Sequence, residues 1–413
     1  MLGGLPPEVW RIVFSHLTTH VPPVSHSELS AEVLWKNCTF PDPHTTRDFW
    51  TMPQFMNCAM PCRLWKPEVK PSAEALSAVQ VCRAWHDLGL EFLYHTVILD
   101  TKSHFDTLVV ILAPPYDRGR FVRRVRIGSS VQILSEDIQP LLDCCPNIED
   151  FESHEICHSR RLISSLACRS SIHHCFFTNQ SPPYRGTLFD LSSFINLKTL
   201  HIVAVASLEY MTAVIPQLAV LVLKSNSGSA YNYHHVSKWR LPSLRVLVCQ
   251  WITTFRLHAL CKAFAQTIEL LEVIQYDPWE AILPTIEMPV LKYLVVDWTP
   301  PFRGYTPRFY ARRHFRSLPS LITIRIENLD RALRSTNVAT VTAEIRREIA
   351  MLSPEMRLAP RLQTLYVGVK LEDIAGGGLE RCCVTAAAFG WELRGKDGIW
   401  KVARGRKLKL ADQ

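Results

Sequence analysis

Leu218-Ala-Val-Leu221-Val-Leu223-Lys-Ser-Asn226 is the stretch on which the reading of this chain turns. Its first six residues form a unit, apolar-x-x-apolar-x-apolar, that returns along most of the sequence. Upstream it appears as Val122/Val125/Ile127, Ile148/Phe151/Ser153, Ile172/Cys175/Phe177 and Leu197/Leu200/Ile202. Downstream it continues as Leu244/Leu247/Cys249, Ile268/Leu271/Val273, Leu291/Leu294/Val296, Leu321/Ile324/Ile326 and Leu362/Leu365/Val367. Successive first positions lie 26, 24, 25, 21, 26, 24, 23, 30 and 41 residues apart. Most of these intervals suit a solenoid whose every turn contributes one strand, at about 20–29 residues per turn.

Within each unit the last two apolar positions are two apart, so both leave one face of a strand toward the core. The first packs the turn before the strand. Proline stands two residues ahead of that first position six times, at Pro146, Pro216, Pro242, Pro289, Pro319 and Pro360. There it is expected to end a preceding helix and to bias the chain toward extended geometry. Stretches such as Leu257–Phe264 and 344–349 carry the i, i+3/i+4 apolar spacing of helices. The expectation is an α/β fold: a curved right-handed β/α solenoid over residues 96–370, with parallel strands inside and helices outside.

The 413 residues (47.2 kDa) are 47% hydrophobic, enough for a large core. Glycine (16) is scarcer than proline (27), which excludes Gly-rich fibrous and low-complexity classes. Apolar runs such as Leu108–Ala113 fall far short of the roughly 20 residues that span a bilayer. No secretory signal is visible, and the expected location is cytoplasmic, nuclear or both. The net charge of +8 is uneven: from Arg394 to Gln413, seven Lys/Arg face two Asp, leaving only +3 for the other 393 residues. A body-wide basic surface is not implied. Of the 13 cysteines, Cys175 and Cys249 occupy apolar positions of the repeat, and Cys168 and Cys261 lie in apolar helix-like runs. No Cys-x-x-Cys occurs, so these read as packing thiols of a reducing compartment.

Residues 96–370 resemble the leucine-rich-repeat family of the longer cytoplasmic type. The full family unit, with its asparagine, occurs once, ending at Asn226. Val205, Ile252 and Thr299 stand at that position elsewhere, so the family's asparagine ladder is mostly missing. Ahead of the repeats, Leu5-Pro-Pro-Glu-Val-Trp-Arg-Ile-Val-Phe-Ser-His-Leu17 reads as an amphipathic helix with prolines in its first turn. A second helical run, 73–88, contains Val81-Cys82-Arg83-Ala84-Trp85. Together these resemble an F-box. The resemblance implies a small all-α module that docks on a Skp1-type adaptor, and through it on a cullin–RING ligase. The implied adaptor-binding residues are Leu5, Pro6, Glu8, Val9, Val13, Phe14, Leu17, Val81, Cys82 and Trp85. A Pro-rich insertion, about residues 20–72, separates the two halves of this module, taken as 1–95, and a cap and basic tail follow at 371–413.

No nucleophile elbow, phosphate-binding loop or metalloprotease helix motif is present. His154, Cys157 and His158 lack a fourth ligand. The expectation is therefore no catalytic residue, no metal, no cofactor and no membrane partner. Two segments read as candidate substrate-binding surfaces. One is the polar loop 225–239 with Tyr231, Tyr233, His235 and Trp239. The other is the insertion 301–316 with Arg303, Tyr305, Arg308, Tyr310, Arg312 and Arg313. The first functional reading is a substrate-recognition subunit of a Skp1–cullin–F-box ubiquitin ligase with an unidentified substrate protein. The alternative is a leucine-rich-repeat scaffold or nucleic-acid-binding protein with a non-functional F-box.

Overall fold

The computed structural model describes residues 80, 83–99, 101–128, 138–153, 160–179, 189–204, 211–225, 233–250, 254–274, 285–297, 315–327, 358–368, 379–395, 398–402 and 408–410, with isolated positions between 343 and 352. It divides into two compact units, Met1–Leu218 and Ala219–Gln413. Among the described residues no helix is long and apolar enough to cross a membrane.

In the first unit, α1 (Arg83–Tyr94) leads into β1 (Thr96–Leu99). There follow α2 (Lys102–Leu112), β2 (Arg124–Ile127), α3 (Gln139–Cys144), β3 (Asp150–Ser153), α4 (Arg160–Ala167) and β4 (His174–Asn179). The unit continues through β5 (Phe189–Asp190), β6 (Thr199–Ala204) and β7 (Met211–Thr212). Strands β1, β2, β3, β4 and β6 pair in parallel in that order, and β5 pairs with β7. Helix α2 begins where the Thr101 hydroxyl accepts a hydrogen bond from the His104 amide, 3.2 Å away, and it buries Phe105 and Leu112 on one side. The turn at 118–121 seats Gly119 against the end of α3, where a Cβ would collide with the Cys144 carbonyl.

The second unit contains β8 (Val220–Ser225), β9 (Val246–Gln250), α5 (Thr254–Phe264), β10 (Leu270–Ile274), β11 (Ile286–Glu287) and β12 (Tyr293–Asp297). It goes on through β13 (Phe315–Ser317), β14 (Thr323–Glu327), β15 (Thr364–Val367), α6 (Leu379–Ala388), β16 (Glu392–Gly395), β17 (Gly398–Val402) and β18 (Leu408–Leu410). From β8 to β16 the main strands are parallel, and β17 and β18 add antiparallel strands. A short β11–β13 pair stands apart.

The repeating unit sets the register. In the first unit Val97, Val125, Phe151, Cys175 and Leu200 are successive partners, and in the second Leu221, Leu247, Leu271, Leu294, Ile324, Leu365 and Leu393 are. All of these are buried, as are the first apolar positions from Val122 to Leu362. At about 25 cal/mol per Å² of apolar surface removed from water, burial of this row stabilises each turn. Ser153 keeps its place in the ladder and is buried as well. Strands β1 and β16, which carry no complete sequence unit, extend the pattern at either end.

Two expectations change. The prolines do not chiefly terminate helices. Five of the six occupy the second position of a tight turn, apolar-Pro-x-apolar, in which the amide of the fourth residue donates to the carbonyl of the first, whereas Pro146 follows the end of α3 as expected. Leu244 donates to Leu241 at 3.2 Å, Leu321 to Leu318 at 3.1 Å and Leu362 to Ala359 at 3.1 Å. The residue before each of these five prolines (Ile215, Leu241, Met288, Leu318, Ala359) is buried, so the turn is anchored at both ends. Nor are all connections helical: among the described residues, helices lie between β1 and β4, between β9 and β10 and between β15 and β16, and Ala343, Arg346, Arg347, Ile349 and Ala350, between β14 and β15, are helical too. Around β6 and β12 the short pairs β5–β7 and β11–β13 stand instead. The 21-residue interval containing β7 is the shortest of all, which leaves little chain for a helix.

A substitute for the missing asparagine ladder lies at the other end of the strands. The residue just before the first apolar position donates its side chain back to the previous turn. Asn147 reaches the Arg120 carbonyl at 2.8 Å, Asn196 the Ser170 carbonyl at 2.7 Å and Ser320 the Pro289 carbonyl at 2.6 Å. Backbone carbonyls one residue ahead of each strand also accept two consecutive amides from the next turn. His95 takes those of Arg123 and Arg124, and Glu269 those of Lys292 and Tyr293. Turn-to-turn polar groups are thereby satisfied without the family asparagine.

Candidate functional site

The positions between the apolar ones, third and fifth in each unit, leave the opposite face of the strands. In the first unit one such row is Arg124, Asp150, His174 and Thr199, and the next is Arg126, Glu152, Phe176 and His201. Arg124 meets Asp150 through two nitrogens at 2.8 and 2.9 Å, and Arg126 approaches Glu152 at 3.5 Å. The other Asp150 oxygen makes no hydrogen bond and lies 3.9 Å from His174 Nε2. Burial holds the His174 pKa below its ordinary value, outweighing the attraction of Asp150, so the ring is neutral at pH 7. Phe176 and His201 meet edge to face at 4.3 Å. At the strand entrance Arg123 and Glu149 pair at 3.4 Å, and burial raises the Glu149 pKa.

In the second unit the same rows read Val220, Val246, Leu270, Tyr293, Thr323, Thr364, Glu392 and Val222, Val248, Glu272, Val295, Arg325, Tyr366, Arg394. The valines of β8 and β9 are as buried as the core row. Toward β16 the face turns polar. The Arg325 guanidinium stacks 4.5 Å over the Tyr366 ring, and exposed Arg394 donates twice to Glu392, at 2.6 and 3.0 Å. At the strand entrance Glu269 lies between Arg245 (3.8 Å) and Lys292 (2.9 Å). These outward rows were readable in the sequence once the unit was found, as its third and fifth positions, yet none was chosen as a candidate.

Of the sequence-derived adaptor-binding residues, Leu5, Pro6, Glu8, Val9, Val13, Phe14, Leu17, Val81 and Cys82 lie outside the described residues. Trp85 is half-buried near the start of α1. Among the substrate-binding candidates, Tyr231, Arg303, Tyr305, Arg308, Tyr310, Arg312 and Arg313 also lie outside them, as does the Tyr233 side chain. His235 is half-buried in a 3-10 turn, Tyr233–Lys238. Trp239 is corrected: it is only 5% exposed, packed at the end of that turn, so its ring serves the core and does not present itself to a partner. The segment around it is also less of an open loop than its Ser/Asn/Gly content implied.

Cys175, Cys249 and Cys261 are buried as expected, whereas Cys168 is exposed just beyond α4. Burial raises the thiol pKa of Cys145, Cys175, Cys249, Cys261 and Cys382, to about 12 for Cys145 and Cys261, so none of these is an activated nucleophile. Among the described residues no group of His, Cys, Asp and Glu could hold a metal ion.

No family model and no curated protein matches this chain. Among solved structures it is similar to a chain of one described as "Crystal structure of Rad7 and Elc1 complex in yeast", at 14% identity over 88% of each chain and a TM-score of 0.34.

Proposed function

We propose that this chain is a non-enzymatic substrate receptor of a Skp1–cullin–F-box ubiquitin ligase, with a leucine-rich-repeat solenoid behind its F-box. The observation that carries this reading is the continuity of two features. The Val81-Cys82-Arg83-Ala84-Trp85 motif runs into α1, and α1 runs directly into β1, the first strand of a ladder whose register follows the repeated unit. The F-box supplies Leu5, Val9, Val13 and Leu17 as apolar anchors for the adaptor. The repeats hold the substrate, and the gain is proximity: a substrate lysine is kept at high effective concentration near the charged conjugating enzyme. The transfer chemistry belongs to other subunits.

The test is capture of purified Skp1 by the intact chain. The wild type is expected to retain Skp1 and a Val9→Asp/Val13→Asp variant to lose it. Equal recovery by both proteins, or none by the wild type, would overturn the reading and leave the scaffold or nucleic-acid alternative.

A further inference from the structure

The turn at 118–121 presents its arginines from a fixed base. Gly119 is seated against the Cys144 carbonyl, and its own carbonyl accepts from the Val122 amide at 3.1 Å. Asn147 holds the Arg120 carbonyl at 2.8 Å. Just ahead of the turn, the Ala113 carbonyl accepts the amides of Tyr116 and Asp117 at 3.1 and 3.2 Å. On this base Arg118 donates through one guanidinium nitrogen to the Tyr94 hydroxyl at 2.6 Å. Its guanidinium carbon lies 5.2 Å from the centre of the Tyr94 ring and 5.7 Å from that of Tyr116. Among the described residues the other N–H groups of Arg118 make no hydrogen bond, and the Tyr94 hydroxyl hydrogen meets no acceptor. Tyr116 is 59% exposed, so a large ring stands in water beside a half-buried guanidinium with donors to spare. Arg120 lies over the Phe121 ring at 4.8 Å and comes only within 3.7 Å of Asp117, with both members of that pair largely exposed.

We propose that Arg118, Arg120 and the Tyr94 hydroxyl bind a phosphorylated serine or threonine of a partner protein. Charge complementarity selects an anion, and the number of donors selects its kind. A carboxylate is satisfied by a single arginine fork, whereas a phosphate monoester offers three acceptor oxygens and close to two charges. The exposed Tyr116 ring gives apolar contact to the peptide beside the phosphate. A nucleic acid needs a longer basic track. Here the next arginine along the chain, Arg123, is taken up by Glu149, and the chain outside Arg394–Gln413 carries only +3. The site also contains its own competitor, since Asp117 draws on Arg120. This inference goes beyond the ligase reading and does not depend on adaptor binding.

Fluorescence anisotropy against the intact chain tests it, with a pool of labelled short peptides, degenerate on both sides of one fixed phosphoserine. A second pool carries glutamate at the fixed position. The phosphoserine pool is expected to bind, with an affinity that falls as salt rises, and the glutamate pool to bind at least about tenfold more weakly. Arg118→Gln is expected to lose about tenfold in affinity, and Asp117→Asn to gain about threefold by freeing Arg120. Asp117 has a left-handed backbone (φ 47°), which asparagine also adopts, and a gain in affinity cannot come from a damaged fold. Equal binding of the two pools, or unchanged affinity in Arg118→Gln, would overturn the proposal and leave Arg118 as a tie between the turn and the end of α1. Tighter binding of an oligothymidine strand than of the phosphoserine pool would overturn it in favour of nucleic acid.

Discussion

The outward faces of the two units are built on one backbone pattern from opposite chemistry. In the first, neighbouring strands exchange charge: Arg124 with Asp150, and Arg126 with Glu152. In the second, the same positions on β8 and β9 hold Val220, Val222, Val246 and Val248, all buried. The inward rows do not differ in this way. The repeated unit therefore constrains what packs beneath the strands and leaves the upper face free to vary, and that freedom is where recognition can diversify.

Substitutions sharpen the contrast. Val248→Asp is expected to cost about 4 kcal/mol or more, because an unpaired carboxylate would replace a fully buried methyl pair. Arg126→Ala, at the corresponding position on β2, should cost about 1–2 kcal/mol, since it takes a 3.5 Å partner from the buried Glu152 carboxylate. Urea denaturation of both variants measures the difference, and equal losses would erase the distinction between the faces. Asp150→Ala should cost about 1–2 kcal/mol, as it strands the partly exposed Arg124. A double-mutant cycle with Arg124→Ala isolates the coupling. Asn196→Ala removes one side-chain link between turns and should cost about 0.5–1 kcal/mol.

The smallest effect is a change of slope. Below its ordinary pKa of 6.5, His174 takes a proton more readily in the unfolded chain than in the folded one. Its contribution therefore lowers stability as pH falls from 6.5, until the folded ring titrates too. The groups acting on it are Asp150, which favours the cation, and His173, Lys198 and Arg124, which oppose it. His174→Gln should flatten the decline in stability below pH 6.5, and an unaltered slope would show that folding does not lower the pKa of the ring.

The strand ladder was legible because its signal is short-range and repeated: one six-residue pattern, met ten times, predicts partners that lie a whole turn apart. The role of five of the six prolines was misassigned because a proline two residues ahead of a repeat unit suits either a helix end or a tight turn. Only the hydrogen bond from Leu244 to Leu241 and its equivalents decide between them. Trp239 was misplaced for a related reason: its neighbours are polar, but its own position follows Val236 by three and turns inward. The basic tail showed its charge but not its register, since Lys401 and Lys409 become partners only when β17 and β18 pair.

Each carbonyl that serves two amides of the next turn closes the joint between turns within two residues. What happens between joints is then of little consequence to the alignment. Across the longest interval, 41 residues from Leu321 to Leu362, Ile324 still faces Leu365 and Ile326 still faces Val367. Across the shortest wholly within the second unit, 23 residues from Ile268 to Leu291, Leu271 still faces Leu294. The scaffold counts joints and is indifferent to the length of chain that separates them, so inherited insertions can accumulate on it without shifting a single pair.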